Sequence, residues 1–268
     1  MDVKKVLFIS QEIHPYVPAS TMSNLGCDMP RGIQEKGIEV RTFMPRYGII
    51  NERRNQLHEV IRLSGMNIII DDTDHPLIIK VATLQPTRMQ VYFMDNDDYF
   101  DRHSTEGLEI DTHPADNDER SIFFVRGSVE TVKKLRWDAS IVHCTGWITA
   151  LTALYLKHKY NDDPSFRTGK IVVSLVPDGF EGTLDPRFVE KLRLEGFSDE
   201  QLAVLGSEPV DYRTLMRIAI DNADAIVEAL PGADPELVAY AKASGKPYLD
   251  CTADEGRAQA LADFYTSL

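Results

Sequence analysis

The sequence predicts an α/β fold in which a Rossmann-like, doubly wound and mostly parallel sheet carries helices on both faces. Two observations lead to this prediction. Short apolar runs with the length of buried strands alternate along the chain with segments in which apolar residues recur every three to four positions. No internal repeat, low-complexity tract or clear linker interrupts the alternation, so residues 1–268 are expected to form one domain.

Strands are predicted where a short apolar run is bounded by polar residues, glycine or proline. These segments are residues 4–10, 38–44, 67–70, 77–84, 89–94, 139–143, 170–176, 225–229 and 247–250. The three segments between residues 67 and 94 lie too close together for a long helix to connect them. This part of the sheet is therefore expected to be antiparallel or mixed.

Helices are predicted where apolar residues recur with helical spacing, as Met22, Leu25, Met29 and Ile33 do. These segments are residues 20–37, 116–135, 148–160, 189–194, 199–205, 211–222, 235–244 and 255–267. Ligands of doubly wound sheets bind beyond the carboxyl ends of the strands. The loops in which we expect functional residues are therefore residues 10–19, 45–49, 143–147 and 176–182.

The composition indicates a folded protein and argues against several classes of partner. Apolar residues make up 43% and charged residues 26% of the 268 positions, as in ordinary globular proteins. Asp and Glu (42) outnumber Lys and Arg (29), which gives a formal net charge of −13, and no basic cluster stands out. We therefore expect no binding to nucleic acid or to anionic membranes. No apolar run reaches 18 residues, so no membrane span is expected.

Cysteine usage predicts a cytoplasmic location. Cys27, Cys144 and Cys251 are widely spaced and odd in number. This pattern fits a reducing compartment better than a disulfide framework or a zinc site. The apolar run at residues 6–9 is too short for the hydrophobic region of a signal peptide.

No cofactor or metal is expected from the motifs. No G-x-G-x-x-G follows the first predicted strand, and the chain contains no G-x-x-x-x-G-K-[ST], so neither a Rossmann dinucleotide nor a P-loop nucleotide is predicted. Three histidines in loops, His14, His103 and His113, lack the spacing of metal ligands.

A series of motifs, in a fixed order, resembles a known family. The segment KVLFIS to PRYG, residues 5–48, has Gln11-Glu12 after the first strand, then Pro15, a helix ending at Gly37, and Arg46 after the second strand. Further matching segments are residues 91–102 (VYFMDNDDYFDR), 116–120 (DNDER), 138–147 (DASIVHCTGW) and 222–238 (NADAIVEALPGADPELV). Their order over nearly the whole chain resembles the N-terminal catalytic half of bacterial glycogen and plant starch synthases.

The resemblance implies one half of a GT-B fold, in which two Rossmann-like domains enclose a cleft that binds a nucleotide sugar and an α-glucan. The resemblance assigns no catalytic residue in this chain. The candidate ligand-binding residues are those that match or align with the family's motifs at strand and helix ends. They are Glu12, Arg46, Tyr47, Asn117, Arg120, His143, Trp147 and Glu181.

Several candidates also have a purely structural interpretation. Arg46 either binds a phosphate or carboxylate or pairs with an aspartate, and Glu12 either faces a ligand or hydrogen-bonds its own loop. His143 is either a ligand or base or a hydrogen-bonded structural histidine. The acidic side chains of residues 178–185 are either an acid and base pair or solvated turn carboxylates.

The departures from the family's motifs bear on activity. Its Lys-x-Gly-Gly loop, which approaches the nucleotide diphosphate, aligns with residues 18–21, Pro-Ala-Ser-Thr, so both the cation and the glycines are replaced. The following Asp is Asn24, and a His-Asp pair becomes Thr145-Gly146. The sugar-binding His aligns with Val176, which has no hydrogen-bonding side chain.

Three hypotheses follow. From its length, the chain is expected to hold the first domain without the C-terminal nucleotide-sugar domain, and to be catalytically inactive, with a regulatory or binding role. The alternative is an ADP- or UDP-glucose-dependent glucosyltransferase that elongates an α-1,4-glucan and is completed by a partner chain or by homo-oligomerisation. The third is an interaction module that self-associates through the face a second domain would cover. Whether the chain is an enzyme is left open by the sequence.

Overall fold

A mixed, mostly parallel β-sheet organises the structure, a computed structural model that describes residues 3–102 and 115–268. The described residues contain ten strands: β1 (Lys5–Ser10), β2 (Glu39–Pro45), β3 (His58–Glu59), β4 (Met66–Ile70), β5 (Thr73–Leu84), β6 (Met89–Asp95), β7 (Ile141–Thr145), β8 (Lys170–Leu175), β9 (Ala225–Glu228) and β10 (Tyr248–Asp250). Their order in the sheet is β10-β9-β8-β7-β1-β2-β6-β5-β3, and β4 pairs with β5 outside this order.

Helices connect most of the parallel strands. In the described part of the chain these are α1 (Thr21–Glu35), α2 (Asp97–Phe100), α3 (Asn117–Leu135), α4 (Thr152–His158), α5 (Phe188–Leu194), α6 (Tyr212–Asn222), α7 (Pro235–Ala243) and α8 (Arg257–Ser267). Two further segments, Trp147–Thr149 and Ala203–Leu205, form single 3₁₀ turns.

The central strand β1 is paired on both edges. It runs parallel to β2 on one side and to β7 on the other, so that Val6 lies opposite Val40 and Ile141. From Val6 to Ser10 every residue of β1 is buried. A strand that is covered on both faces needs a nearly continuous apolar sequence, which explains the run of four apolar residues, 6–9, within β1.

Helices cover both faces of the sheet, as the sequence predicts. The connection from β1 through α1 to β2 crosses the sheet in one direction, and the connections from β7 to β8 and from β8 to β9 cross it in the other. Because such crossovers are right-handed, the two sets of helices lie on opposite faces. The packing agrees, since α1 contacts α8, whereas α3, α4 and α6 contact one another in series.

The predicted antiparallel or mixed region is confirmed. β5 pairs antiparallel with β3, β4 and β6, and β6 runs parallel to β2. Along β5, buried residues alternate with more exposed ones over most of its length. This alternation is typical of an antiparallel strand with one face on the core.

One predicted helix is wrong, and two short elements were not predicted. Residues 199–205 do not form a helix, because only the 3₁₀ turn Ala203–Leu205 is present and Gly206, with a φ of +67°, follows it directly. The two-residue strand β3 and the four-residue helix α2 are too short to produce a periodic pattern. Asn96 caps α2 at its N-terminus, because its Oδ1 accepts a hydrogen bond from the Tyr99 amide at 3.1 Å.

The last helix is tied to the sheet through a buried polar contact. The Tyr265 hydroxyl of α8 lies 2.5 Å from Nδ1 of His143 on β7, and His143 Nε2 lies 2.6 Å from the Ser174 hydroxyl on β8. On α1, a Cβ at Gly32 would overlap the Ala258 side chain of α8, so the two helices approach closely. The C-terminal residues are therefore part of the core.

The thiols of Cys27, Cys144 and Cys251 are free. Within residues 3–102 and 115–268, no helix is long and apolar enough to cross a membrane. The same residues contain no group of three or more His, Cys, Asp or Glu side chains placed to hold a metal ion. His103 and His113 lie outside the described residues.

Replacing Tyr265 should test how far α8 contributes to the core. Tyr265→Ala removes a fully buried ring and leaves His143 Nδ1 without its partner, so we expect the free energy of unfolding to fall by about 3–5 kcal/mol. Thr266→Ala, on the exposed side of the same helix, should cost less than about 1 kcal/mol. Urea unfolding followed by circular dichroism measures both, and equal losses would contradict this role of α8.

Candidate functional site

The candidate site lies where the sheet changes direction. From β1 the chain crosses to β2 on one side, and from β7 it crosses to β8 on the other, so the loops after β1 and β7 diverge. Ser10 and Thr145, the last residues of these strands, are directly paired. We call the crevice between these two strand ends the switch point, because ligands of doubly wound sheets bind at this position.

The side chain of Gln11 occupies the switch point. The backbone amide of Gln11 donates to the Thr145 carbonyl at 2.9 Å, and the side-chain Oε1 accepts from the Ile148 amide at 3.3 Å. Gly146 has a φ of +92°, and a Cβ there would overlap the Cβ of Gln11. The Tyr47 hydroxyl donates to the Gln11 carbonyl at 2.9 Å. Gln11 thereby joins the loops that follow β1, β2 and β7.

Glu12, a predicted ligand-binding residue, contacts its own loop. Its Oε2 accepts a hydrogen bond from the Ser20 hydroxyl at 3.0 Å, and Ser20 caps α1 by accepting from the Ser23 amide at 2.9 Å. A Cβ at Gly26 would overlap the Glu12 carbonyl, so α1 also lies directly against this residue. Glu12 thus fixes the loop 11–20 to the start of α1.

Arg46 lies in a buried network of ion pairs. Its Nε is 3.0 Å from Asp95 Oδ1 and 3.3 Å from Glu52 Oε1, and its Nη1 is 2.7 Å from Asp101 Oδ1. Lys80 lies 2.7 Å from Asp95 and 2.6 Å from Glu52. Of the two sequence interpretations, the structure therefore places Arg46 in pairs with aspartates, of which Asp95 is buried and Asp101 is exposed on one side.

Burial and charge act in opposite directions on this network. Burial lowers the pKa of the Arg46 guanidinium, but the surrounding carboxylates, Asp95 first, raise it above its ordinary value. Burial raises the pKa of Asp95, and Lys80 and Arg46 offset that effect only in part. Removing one partner would leave an uncompensated buried charge, so the network holds the loops after β2 and β6 in place.

Asn117 and Arg120 lie buried at the start of α3. Arg120 Nε is 3.3 Å from Asp116 Oδ1, and the same carboxylate forms a two-pronged pair with Arg102, at 3.2 and 2.6 Å. In the first turn of α3, the Asp118 carboxylate accepts a hydrogen bond from the buried Lys191 ammonium at 2.6 Å. The predicted candidates in this segment therefore form part of a buried polar cluster.

His143 is completely buried and contacts Tyr265 and Ser174 as described above. Burial lowers its pKa from 6.5 to about 3, so the imidazole is neutral at physiological pH. Its neighbour Cys144 points to the opposite face, where it contacts Thr152 of α4 and burial raises its pKa to about 12. The geometry agrees with the structural interpretation of His143.

The loop after β8 closes over Trp147. Asp178 Oδ2 accepts from the Trp147 amide at 2.7 Å, and Asp178 Oδ1 accepts from the Tyr212 hydroxyl at 2.7 Å. The Phe180 ring packs edge-on against the Trp147 indole, with centroids 4.9 Å apart. Glu181, by contrast, is exposed. Asp178 is therefore a bridge between loops, and of the two interpretations given for the acidic residues of this loop, that of a solvated turn carboxylate is wrong for Asp178.

The structure brings together only some of the predicted residues. Tyr47 and the segment that contains Trp147 meet at the switch point through Gln11, whereas Arg46 and His143 belong to separate buried clusters. Gln11 was noted only as part of a motif. The signal that points to it is Gly146, since a glycine at a strand end often marks a close backbone approach.

A cavity of about 430 Å³ opens beside the loop that follows β1. One wall is residues 14–19 of that loop, and the other is the segment from Ile49 to Asn55. Its polar lining includes His14, Asn51 and Arg54. We call it the first-loop cavity. Its size is in the range that holds small ligands.

Comparisons with known proteins place the chain in a family. Residues 5–242 match the family described as "Starch synthase catalytic domain". The glycogen synthase of Chlorobaculum tepidum is 34% identical over 220 residues, which cover 78% of this chain and 45% of the relative. The glycogen synthase of Chlorobium phaeovibrioides is 32% identical over 242 residues, which cover 88% of this chain and 48% of the relative. The chain thus spans about half the length of the curated relatives it matches.

A solved structure agrees on the fold. The catalytic domain of starch synthase IV from Arabidopsis thaliana, bound to ADP and acarbose, superposes with a TM-score of 0.69. The match covers 99% of this chain and 50% of that one, at 17% sequence identity. The resemblance inferred from the motif order is therefore confirmed at the level of family and fold.

The contact between Gly146 and Gln11 can be tested by mutation. Gly146→Ala adds a Cβ at positive φ and against Gln11, so we expect it to lower the free energy of unfolding by about 2–5 kcal/mol. Gly245→Ala, where φ is +73° and no atom lies within 4 Å of the new Cβ, should cost only the backbone strain, about 1–2 kcal/mol. Chemical denaturation compares them, and Gln11→Gly should partly rescue Gly146→Ala.

His143 should make stability depend on pH. The folded protein keeps this imidazole neutral down to about pH 3, whereas the unfolded chain takes up the proton near pH 6.5. Between these values the unfolded state binds more protons, so stability falls as the pH falls, by up to about 1.4 kcal/mol per pH unit. We expect His143→Gln to remove the contribution of His143 to the slope of the free energy of unfolding against pH. His58 is exposed, so His58→Gln should leave that contribution unchanged. Identical slopes in urea titrations of wild type and His143→Gln would disprove the assignment.

Proposed function

Because this chain belongs to the starch synthase catalytic domain family, we propose that residues 1–268 form one glycogen/starch synthase-like domain that does not transfer glucosyl units by itself and acts through binding. The observation that carries the proposal is the filling of the switch point by Gln11 against Gly146. A sugar ring at this crevice would have to displace the buried Gln11 side chain and break its hydrogen bond with the Ile148 amide.

The phosphate-binding chemistry supports the same proposal. A nucleotide diphosphate needs cations or free backbone amides, which in this family a lysine and two glycines supply. Residues 18–21 carry no cation, and the guanidinium of Arg46, after the next strand, is already paired with Asp95 and Asp101. Binding a phosphate there would require breaking buried ion pairs.

The sugar-binding positions support it as well. Val176 stands where the family's loop has a histidine, and it is fully buried beside the loop that Asp178 closes. Thr145-Gly146 replaces the His-Asp pair. Val176 offers no hydrogen bond, and neither position offers the charge that stabilises a transition state for glucosyl transfer.

We place the retained ligand in the first-loop cavity. Its lining of His14, Tyr16, Asn51, Arg54 and Asn55 combines an aromatic ring with neutral and cationic hydrogen-bonding groups. This composition suits an α-glucan or the sugar part of a nucleotide sugar. A cytoplasmic location, expected from the three cysteines, is part of this proposal.

The alternative is an ADP- or UDP-glucose-dependent glucosyltransferase that extends an α-1,4-glucan, with the rest of the site supplied by a partner chain or by a second copy. The exposed position of Glu181, in the loop that aligns with a sugar-binding motif, favours this version, because this residue lies at the surface that a partner would cover. Self-association through the carboxyl edge of the sheet would be its first requirement.

The proposal predicts that the purified chain transfers no glucose. With labelled ADP-glucose or UDP-glucose and maltoheptaose, we expect no label in the glucan above the background without protein. Glycogen synthase of Chlorobaculum tepidum serves as the positive control. Transfer by this chain at a rate within about a thousandfold of the control would overturn the proposal and favour the alternative, and loss of that transfer in Glu181→Gln would support a site shared with a partner.

Binding in the first-loop cavity has its own test. We expect maltoheptaose to bind the wild-type chain and Arg54→Ala to weaken it about five- to tenfold, because one charge-assisted hydrogen bond is lost. Arg53→Ala is the matched control, since this neighbouring arginine is exposed and does not line the cavity. Isothermal titration calorimetry separates the two variants, and equal affinities would exclude the cavity as the glucan site.

A further inference from the structure

A basic surface lies at the edge of the sheet where β1, β7 and β8 begin. These strands are neighbours, and their starts are held together because the Ser140 amide donates to the Lys5 carbonyl and the Lys170 amide to the Ser140 carbonyl, each at 2.9 Å. Helices α3 and α4 lead into β7 and β8, so both helices end at the same edge. We call the surface formed by residues 3–5, 133–140 and 157–170 the amino-edge surface.

The amino-edge surface has the opposite charge from the rest of the protein. Its segments hold nine Lys and Arg residues and three Asp residues, a formal charge of +6. The whole chain carries −13, so all other residues together carry −19. The nine cations are Lys4, Lys5, Lys133, Lys134, Arg136, Lys157, Lys159, Arg167 and Lys170. They come from three segments that are far apart in the chain, which is why no basic cluster stands out in the sequence.

Stabilisation of helix ends explains only part of this charge. Five of the nine cations lie in the last turns of α3 and α4 or directly after them, where positive charge stabilises the negative end of the helix dipole. The other four, Lys4, Lys5, Arg167 and Lys170, lie at the strand starts and in the loop before β8. The helix dipoles therefore do not account for the whole surface.

Four of the cations have no side-chain partner in the part of the chain that the structure describes. The side chains of Arg136, Lys157 and Arg167 are exposed, and that of Lys170 is half-buried. Within residues 3–102 and 115–268, none of the four makes an ion pair or a side-chain hydrogen bond. A carboxylate from outside can therefore pair with them without breaking an existing contact.

A cavity of about 560 Å³ opens within the amino-edge surface. It is lined by Lys133, Arg136, Asp138, Asp163, Pro164 and Ser165. The Ala139 amide donates to the Ser165 carbonyl at 3.2 Å, so the loop before β8 is held against the start of β7. The cavity thus places two cations and two carboxylates around a concave part of the surface.

We propose that the amino-edge surface binds an acidic segment of a partner protein. A segment that carries several carboxylates is attracted to the charge of +6 and repelled by the other faces, so the charge distribution directs it to this surface. The inference does not rest on the proposed function, because the surface lies at the opposite edge of the sheet from the switch point.

The carboxylates of the cavity favour a protein segment over a phosphate polymer. Asp138 and Asp163 line the cavity between the cations, and the oxygens of a polyphosphate would meet like charge there. A peptide carries backbone N–H groups besides its carboxylates, and ionised Asp side chains accept hydrogen bonds from such donors. Both signs of charge in the cavity are therefore matched by a peptide.

The size of the surface favours a short segment over duplex nucleic acid or an anionic membrane. Charges at a protein surface are screened over about 8 Å at physiological ionic strength, so a ligand confined to the amino-edge surface is attracted mainly by that surface. A long duplex or a membrane plane would also extend beside faces that together carry −19. The proposal thus agrees with the expectation of no binding to nucleic acid or membranes.

Fluorescence anisotropy with the complete chain tests the proposal. The probe is a labelled short peptide rich in Asp and Glu, and its matched control carries Asn and Gln at the same positions. The variants are Arg136→Gln, Arg167→Gln and the double variant, and both arginines are exposed and unpaired, so all three should fold. The control variant is Arg53→Gln, since Arg53 is an exposed arginine after the carboxyl end of β2, at the opposite edge.

We expect the acidic peptide to bind the wild type and the neutral peptide not to bind. Each single substitution should weaken binding about two- to fivefold and the double variant about four- to twentyfold, whereas Arg53→Gln should bind as the wild type does. Raising NaCl from about 50 to about 300 mM should weaken binding of the acidic peptide as well.

Three results would overturn the proposal. The first is absence of binding at low salt, or equal affinity of the wild type and the double variant for the acidic peptide. The second is tighter binding of inorganic polyphosphate or duplex DNA than of the peptide, because the surface would then recognise phosphate. The third is salt-sensitive self-association in analytical ultracentrifugation that the double variant abolishes, because the surface would then bind a second copy of the chain.

Discussion

The parallel pairing of β1 with both β2 and β7 is the constraint on which the rest of the structure depends. It places the ends of β1 and β7 side by side, with Ser10 opposite Thr145, and sends the following loops in opposite directions. It also requires the middle of β1, residues 6–9, to be apolar, because both faces are covered by helices. The switch point, the loop 11–20 and the position of α1 all follow from this arrangement.

The carboxyl edge of the sheet, where such folds bind ligands, is largely occupied by the protein's own side chains. Gln11 fills the crevice between β1 and β7, the Arg46 network closes the ends of β2 and β6, and Asp178 with Phe180 closes the end of β7. Gln11, Arg46 and Asp95 are buried, and Asp178 and Phe180 are half-buried. Each has an internal partner, so a ligand at these positions would have to break existing hydrogen bonds, ion pairs or ring contacts. Open space remains beside the first loop and between α1 and α8.

Much of the fold could be predicted from the sequence because apolar periodicity is local. The run at residues 6–9, the spacing of Met22 and Ile33, and the short connections between residues 67 and 94 each indicated an element or a pairing that the structure contains. The prediction of a helix over residues 199–205 is wrong, because the apolar residues of a single turn have helical spacing although Gly206 ends the turn directly after them. β3 and α2 contain too few residues to show a periodic apolar pattern in the sequence.

The sequence by itself determined the alternation of strands and helices, the acidic charge and the loss of the family's phosphate-binding residues, since each of these depends on residue type and local order. Only the tertiary structure decided what the candidate residues do. Arg46 meets Asp95, and His143 meets Tyr265, across 49 and 122 residues of chain. Gln11 meets Gly146 because β1 and β7 are neighbours. Local pattern cannot encode such distant contacts, because they arise only when the sheet order brings the strand ends together.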